Sequence, residues 1–168
     1  MRFCDLLDLP YNSRTGVVDI SALTQALPHM PESVLRQVLS EHGRKENFQK
    51  QYGTINLQTV TWRLLTLTAA ELTRASVNRA FENWVNAVSA RLSRFEQSGW
   101  PCIDVRSDVV SHWKDKRTWS EPPVLLQNVK MLGPLHLMEG HTRLGTLRGA
   151  LQHGLIAVES RHSAWVGS

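Results

Sequence analysis

Five consecutive residues, Glu139-Gly140-His141-Thr142-Arg143, bring an acid, a glycine, an imidazole, a hydroxyl and a guanidinium to one short stretch. The apolar run Leu135 to Met138 stops abruptly at the acid. Beyond the arginine, Leu144, Leu147, Arg148 and Leu151 set a helical pattern that Gly154 ends. A strand therefore feeds a helix through a turn crowded with hydrogen-bonding groups. Helix N-termini carry unpaired backbone N–H groups and partial positive charge, so anions collect there. Gly140 lets backbone approach a ligand closely, and Thr142 can cap or donate. Arg143 can grip a phosphate or carboxylate with two parallel bonds.

Gly140, His141, Thr142 and Arg143 are thus the candidate phosphate-binding residues, and Glu139 and His141 the candidate catalytic ones. Each has a plainer role open to it. His141 could be a general base, a phosphate donor or a ring that fixes the turn. Arg143 opens a helix, where a cation opposes the macrodipole unless an anion or an acid compensates, and Glu139 one turn earlier could be that acid. No two histidines have the i, i+4 helical spacing that aims two rings at one ion, so no metal site is expected. P-loop, dinucleotide and nucleophile-elbow patterns are absent from the sequence.

The elements that must carry this turn fall into two parts. Residues 1–98 read as helical. Asp19 or Ser21 caps a short helix ending before Pro28, and Pro31-Glu32-Ser33 opens another that stops at Gly43. Phe48 and Tyr52 mark a brief helical turn. Leu57, Val60, Leu64, Leu67 and Leu72 keep helical spacing, and so do Val77, Phe81, Trp84, Val85, Val88, Leu92 and Phe95; together they predict a helical hairpin broken at Ser76. Composition changes at Gly99-Trp100-Pro101, and from Gly99 onward lie five of the seven histidines and four of the six tryptophans. Residues 99–168 read as a small α/β region, with strands at Cys102–Val105, Val124–Leu126, Leu135–Met138 and Ala164–Val166 and a helix from Leu144 to about His153. The expected fold class is α+β, a helical part packed as one compact unit on a small mixed sheet.

The totals narrow the function classes. A hydrophobic content of 42% and a charged content of 20% over 168 residues describe a globular chain with a real core. The net charge of +4 permits an acidic partner, but the densest basic run, Lys114-Asp115-Lys116-Arg117, is interrupted by an acid, so nucleic acid is not favoured. Cys4 and Cys102 form no CxxC pair. No apolar stretch is long enough to span a membrane, and Met1–Pro10 lacks the composition of a signal peptide. A cytoplasmic location and no membrane partner are the expectation.

The acid-Gly-His-Thr-Arg turn, with its strand before and its helix after, resembles the ParB/sulfiredoxin-like superfamily over residues 100–168. A Pro-led strand from Pro123 to Leu126, a glycine turn at Gly133 and a closing strand complete the likeness. The resemblance implies that a nucleotide phosphate binds Gly140, His141, Thr142 and Arg143. The closest pattern is that of the free-serine-kinase-like branch, which sets Asp where this chain has Glu139 and adds a separate catalytic acid. Glu121 and Asp108 are the candidates for that acid by position. The sulfiredoxin branch needs a cysteine within the turn, and His141 and Thr142 stand there instead. The chromosome-partitioning branch adds a DNA-binding helix-turn-helix, for which the sequence up to Ser168 leaves no room. The expected ligand is accordingly a nucleotide or another phosphorylated molecule. The alternative is a non-catalytic partner-binding protein, such as a bacterial immunity protein or antitoxin that neutralises a toxin through an exposed patch of tryptophans and arginines.

Overall fold

The structure, a computed structural model, describes residues 1–129 and 133–168. The chain divides into two compact units, Met1–Arg63 with Gly167–Ser168, and Leu64–Val166. In the first unit a 3-10 turn, Phe3–Asp8, precedes α1 (Ile20–Ala26), whose N-cap Asp19 accepts a hydrogen bond from the Ala22 N–H at 2.8 Å. Next come α2 (Glu32–Val34), which widens into a π-helical turn over Leu35–Ser40, and α3 (Glu46–Tyr52). Phe3, Leu6, Leu23, Leu27, Val38, Phe48 and Tyr52 are all buried, with the Phe48 and Tyr52 rings 5.3 Å apart.

The second unit is built on β1 (Trp62–Thr68) from Leu64 onward, α4 (Ala69–Thr73), β2 (Ser76–Val77), α5 (Arg79–Ala90), α6 (Phe95–Ser98) and α7 (Ser107–Lys116). β3 (Val124–Val129), β4 (Gly133–Glu139), α8 (His141–Gln152) and β5 (Arg161–Gly167) up to Val166 complete it. Among the described residues the strands form one sheet in the order β1-β5-β3-β4-β2. β4 pairs antiparallel with β3 and parallel with β2, so the sheet is mixed and the class is α+β. β3, β4, β5 and α8 lie where turn chemistry and periodicity place them.

Two expectations are corrected. The helix read from Leu57 to Leu72 is instead strand β1 followed by the short α4, so the expected hairpin loses its first limb. Leu65 and Leu67, two apart with Thr66 between them, also fit a half-buried strand, and here they pack inward while Leu64 is exposed. The chain leaves the strand at Thr68, whose hydroxyl accepts from the Glu71 N–H while the Glu71 carboxylate accepts from the Thr68 N–H, a capping box that starts α4. Second, Cys102–Val105 is no strand: Trp100–Cys102 is a 3-10 turn and Val105 is fully exposed. The units divide at Arg63, and β1 and β2 belong to the same sheet as the strands near the C-terminus.

Helices α5 and α8 lie against each other closely. A methyl group at Gly145 would stand 2.7 Å from Val88 Cβ, and one at Gly149 would stand 2.5 Å from the Ser89 carbonyl oxygen. Two glycines one turn apart thus form a flat strip on α8 onto which α5 settles, and no larger residue leaves room for that approach. Beside them, Val85, Leu92, Trp100, Trp113, Leu125, Leu137, Leu144 and Leu147 form the core of this unit. Trp113, on the unforeseen helix α7, is fully buried between Trp100 and Trp119, at 6.1 Å from each ring.

Candidate functional site

The turn is positioned by β4 and α8. A bulge sets Leu125 opposite Leu137 but Val124 opposite Glu139, so β4 carries one extra residue just before the acid. Gly140 follows with φ of +108°, a left-handed conformation that side-chain-bearing residues rarely adopt. A Cβ there would also lie 2.6 Å from Pro123 Cβ, so the close approach this glycine permits is to the segment leading into β3. Gly140 is the N-cap of the twelve-residue α8 and has no side chain to cap it. The first-turn N–H groups of α8 therefore lack the usual side-chain acceptor.

The side chains of the turn converge on one carboxylate. Glu139 Oε2 lies 3.6 Å from His141 Nδ1, and Glu139 Oε1 lies 3.5 Å from Arg143 Nη2. Arg143 folds back over Gly140, and its Nη1 donates to the backbone oxygens of Glu121 at 2.8 Å and Pro122 at 3.4 Å. The Glu121 carboxylate reaches within 3.9 Å of the same Nη1. Of the two acids considered by position, the structure brings Glu121 to the turn, whereas Asp108 opens α7 beside Arg106. One guanidinium is thus shared by two carboxylates that stand 18 residues apart in the chain.

His141 is 6% exposed and its ring lies on that of Phe81 with centroids 4.2 Å apart. Its Nε2 is buried and meets no hydrogen-bond partner among the described residues. His136, 2% exposed on β4, shares a 2.7 Å hydrogen bond with the Ser76 hydroxyl of β2, its parallel partner in the register. Burial, and secondarily the nearby His141, push the His136 imidazole down to about 4, which keeps it neutral at physiological pH. Thr142 Oγ1 accepts a hydrogen bond from the Trp84 indole N–H at 3.1 Å. Trp84 remains 48% exposed, with the Arg91 guanidinium 5.3 Å from its ring centre.

Ser76, Phe81 and Trp84 had no signal pointing them to the turn, because strand pairing and the α5–α8 contact bring them there. Pro122-Pro123 did carry one: a proline pair offers carbonyls but no N–H groups, and Arg143 uses the preceding carbonyls. Lower on α8, Arg148 donates to the carbonyls of Thr73 at 3.0 Å and Ala75 at 2.9 Å, tying the helix to the chain that leads into β2. Comparison of the chain with protein families, curated proteins and solved structures finds no match in any of the three. No helix among the described residues is long and apolar enough to cross a membrane.

Proposed function

We propose that the Glu139–Arg143 turn binds the phosphate of a nucleotide or a similar phosphorylated ligand. The observation that carries this reading is the uncapped N-terminus of α8 with the Arg143 guanidinium folded directly over it. Backbone N–H groups and a bidentate cation on the same side of a turn are complementary to a phosphate's oxygens. Nη1 of Arg143 donates to the two backbone carbonyls, which orients the planar group. Glu139 and Glu121 hold the cation in the free protein and are the groups an incoming anion displaces. In a transfer or hydrolysis reaction their carboxylates would orient or deprotonate the acceptor while the turn stabilises phosphate charge. The likeness to the ParB/sulfiredoxin-like turn supports the same assignment.

Calorimetric titration with ATP, CTP, ADP and inorganic phosphate tests the proposal. Saturable binding to the wild type that is lost in Arg143→Ala supports it, and no binding at millimolar ligand by the folded wild type overturns it. One feature favours a second reading, a protein that neutralises or tethers a partner such as a toxin. The half-exposed Trp84 under Arg91 is the pairing of aromatic and arginine that partner-binding hot spots use. Partner capture that survives Arg143→Ala but fails in Trp84→Ala would select that reading over the first.

A further inference from the structure

The second unit contains a cavity of 240 Å³ at one end of its sheet. β1 and β2 are the outer strands, and the only chain between them is α4 and two further residues. That bridge must pass across four inter-strand spacings, a width of about 19 Å. It is too slight to cover the apolar face beneath it. Leu65 and Leu67 of β1, Leu135 of β4 and Val166 of β5 are left lining a hollow, with Glu71 and Arg74 from the bridge at its rim.

The rim carries one acid and one base, and only the acid is hydrogen-bonded. Glu71 is engaged in the capping box, accepting from the Thr68 N–H at 2.7 Å and the Thr68 hydroxyl at 2.8 Å. The Arg74 side chain, beside Glu71, makes no hydrogen bond among the described residues. An apolar hollow with one available guanidinium at its mouth matches a ligand with an aliphatic body and an anionic end. We propose that this cavity binds a medium-chain aliphatic carboxylate, its chain against Leu65, Leu67, Leu135 and Val166 and its carboxylate on Arg74. At the packing density of protein interiors the hollow holds about 180 Å³ of ligand atoms, a chain of about eight carbons.

Octanoate titrated calorimetrically into the full chain tests this, with butyrate and octanol as comparison probes. Octanoate should bind the wild type at least about tenfold more tightly than butyrate, because the longer chain fills the hollow. Arg74→Gln should weaken octanoate about tenfold and leave octanol unchanged, since only the carboxylate uses the guanidinium. Leu65→Phe, which fills the hollow, should weaken both. Arg74 is exposed, so its variant keeps the test alive if Leu65→Phe fails to fold. The proposal is overturned if the folded wild type gives no saturable octanoate heat, or if Arg74→Gln binds octanoate as the wild type does.

Discussion

Arg143 Nη1 donates to the backbone oxygen of Glu121 at 2.8 Å, joining the first turn of α8 to the segment that leads into β3. The candidate ligand-binding cation is therefore also a structural bond. The Glu121 and Pro122 carbonyls both accept from this one guanidinium nitrogen. Arg143→Met should destabilise the protein by about 1–3 kcal/mol through carbonyls left unpaired. Arg143→Lys should recover only part of this, because a single ammonium does not reproduce the planar fork. Urea unfolding of the three proteins measures it, and equal stability of all three would contradict the assignment.

Glu121 competes with any incoming anion for that guanidinium, its carboxylate lying 3.9 Å away and partly exposed. Glu121→Gln should therefore tighten phosphate or nucleotide binding by about two- to fivefold, a modest gain consistent with a solvent-screened pair. The gain should shrink as salt is raised. Weaker binding in Glu121→Gln would indicate instead that this carboxylate contacts the ligand.

His136 makes stability depend on pH. Its imidazole is depressed to about 4 in the folded protein, so the unfolded chain binds the proton more readily. The stabilisation is fully present above the unfolded value of about 6.5 and is lost progressively as pH falls toward 4, by about 3 kcal/mol at most. His162, also lowered by burial, adds to the loss in the same direction. Urea midpoints between pH 7.5 and pH 4.5 should fall, and His136→Leu should flatten the curve. An unchanged slope in that variant would show that other groups carry the dependence.

The glycine strip on α8 is intolerant of size. Gly145→Leu must displace Val88 or the Val85 carbonyl, which would stand 2.7 and 2.8 Å from its Cβ. It should cost about 3 kcal/mol or more, the upper range for overpacking, because backbone must move with the side chain. Thermal melting measures this, and a variant as stable as the wild type would mean that α5 and α8 are not so closely packed.

The sequence was most readable where punctuation and periodicity agree. Pro123, Gly133 and Gly154 bracket β3, β4 and α8, and Asp19 marks the start of α1. It misled where a short apolar run fits two periods. Leu57 to Leu72 satisfies helical spacing, and only the sheet formed with β5 decides for a strand at Trp62–Thr68. Helix α7 went unseen because Lys114 to Arg117 reads as a solvated charge run, although Trp113 beside it is wholly buried. The turn itself was legible, since five adjacent residues supply most of it. Part of its surroundings was not: Ser76, Phe81 and Trp84 arrive through strand register and helix packing, which no local pattern encodes.

The central claim is that phosphate is held by the first turn of α8. It is tested most directly by following backbone amide resonances while inorganic phosphate and then ATP are added to the isotopically labelled protein. The largest saturable shifts are expected at His141, Thr142 and Arg143, with their loss in Arg143→Gln while the remaining spectrum stays intact. Shifts confined to other parts of the chain, or none at millimolar ligand, would contradict it.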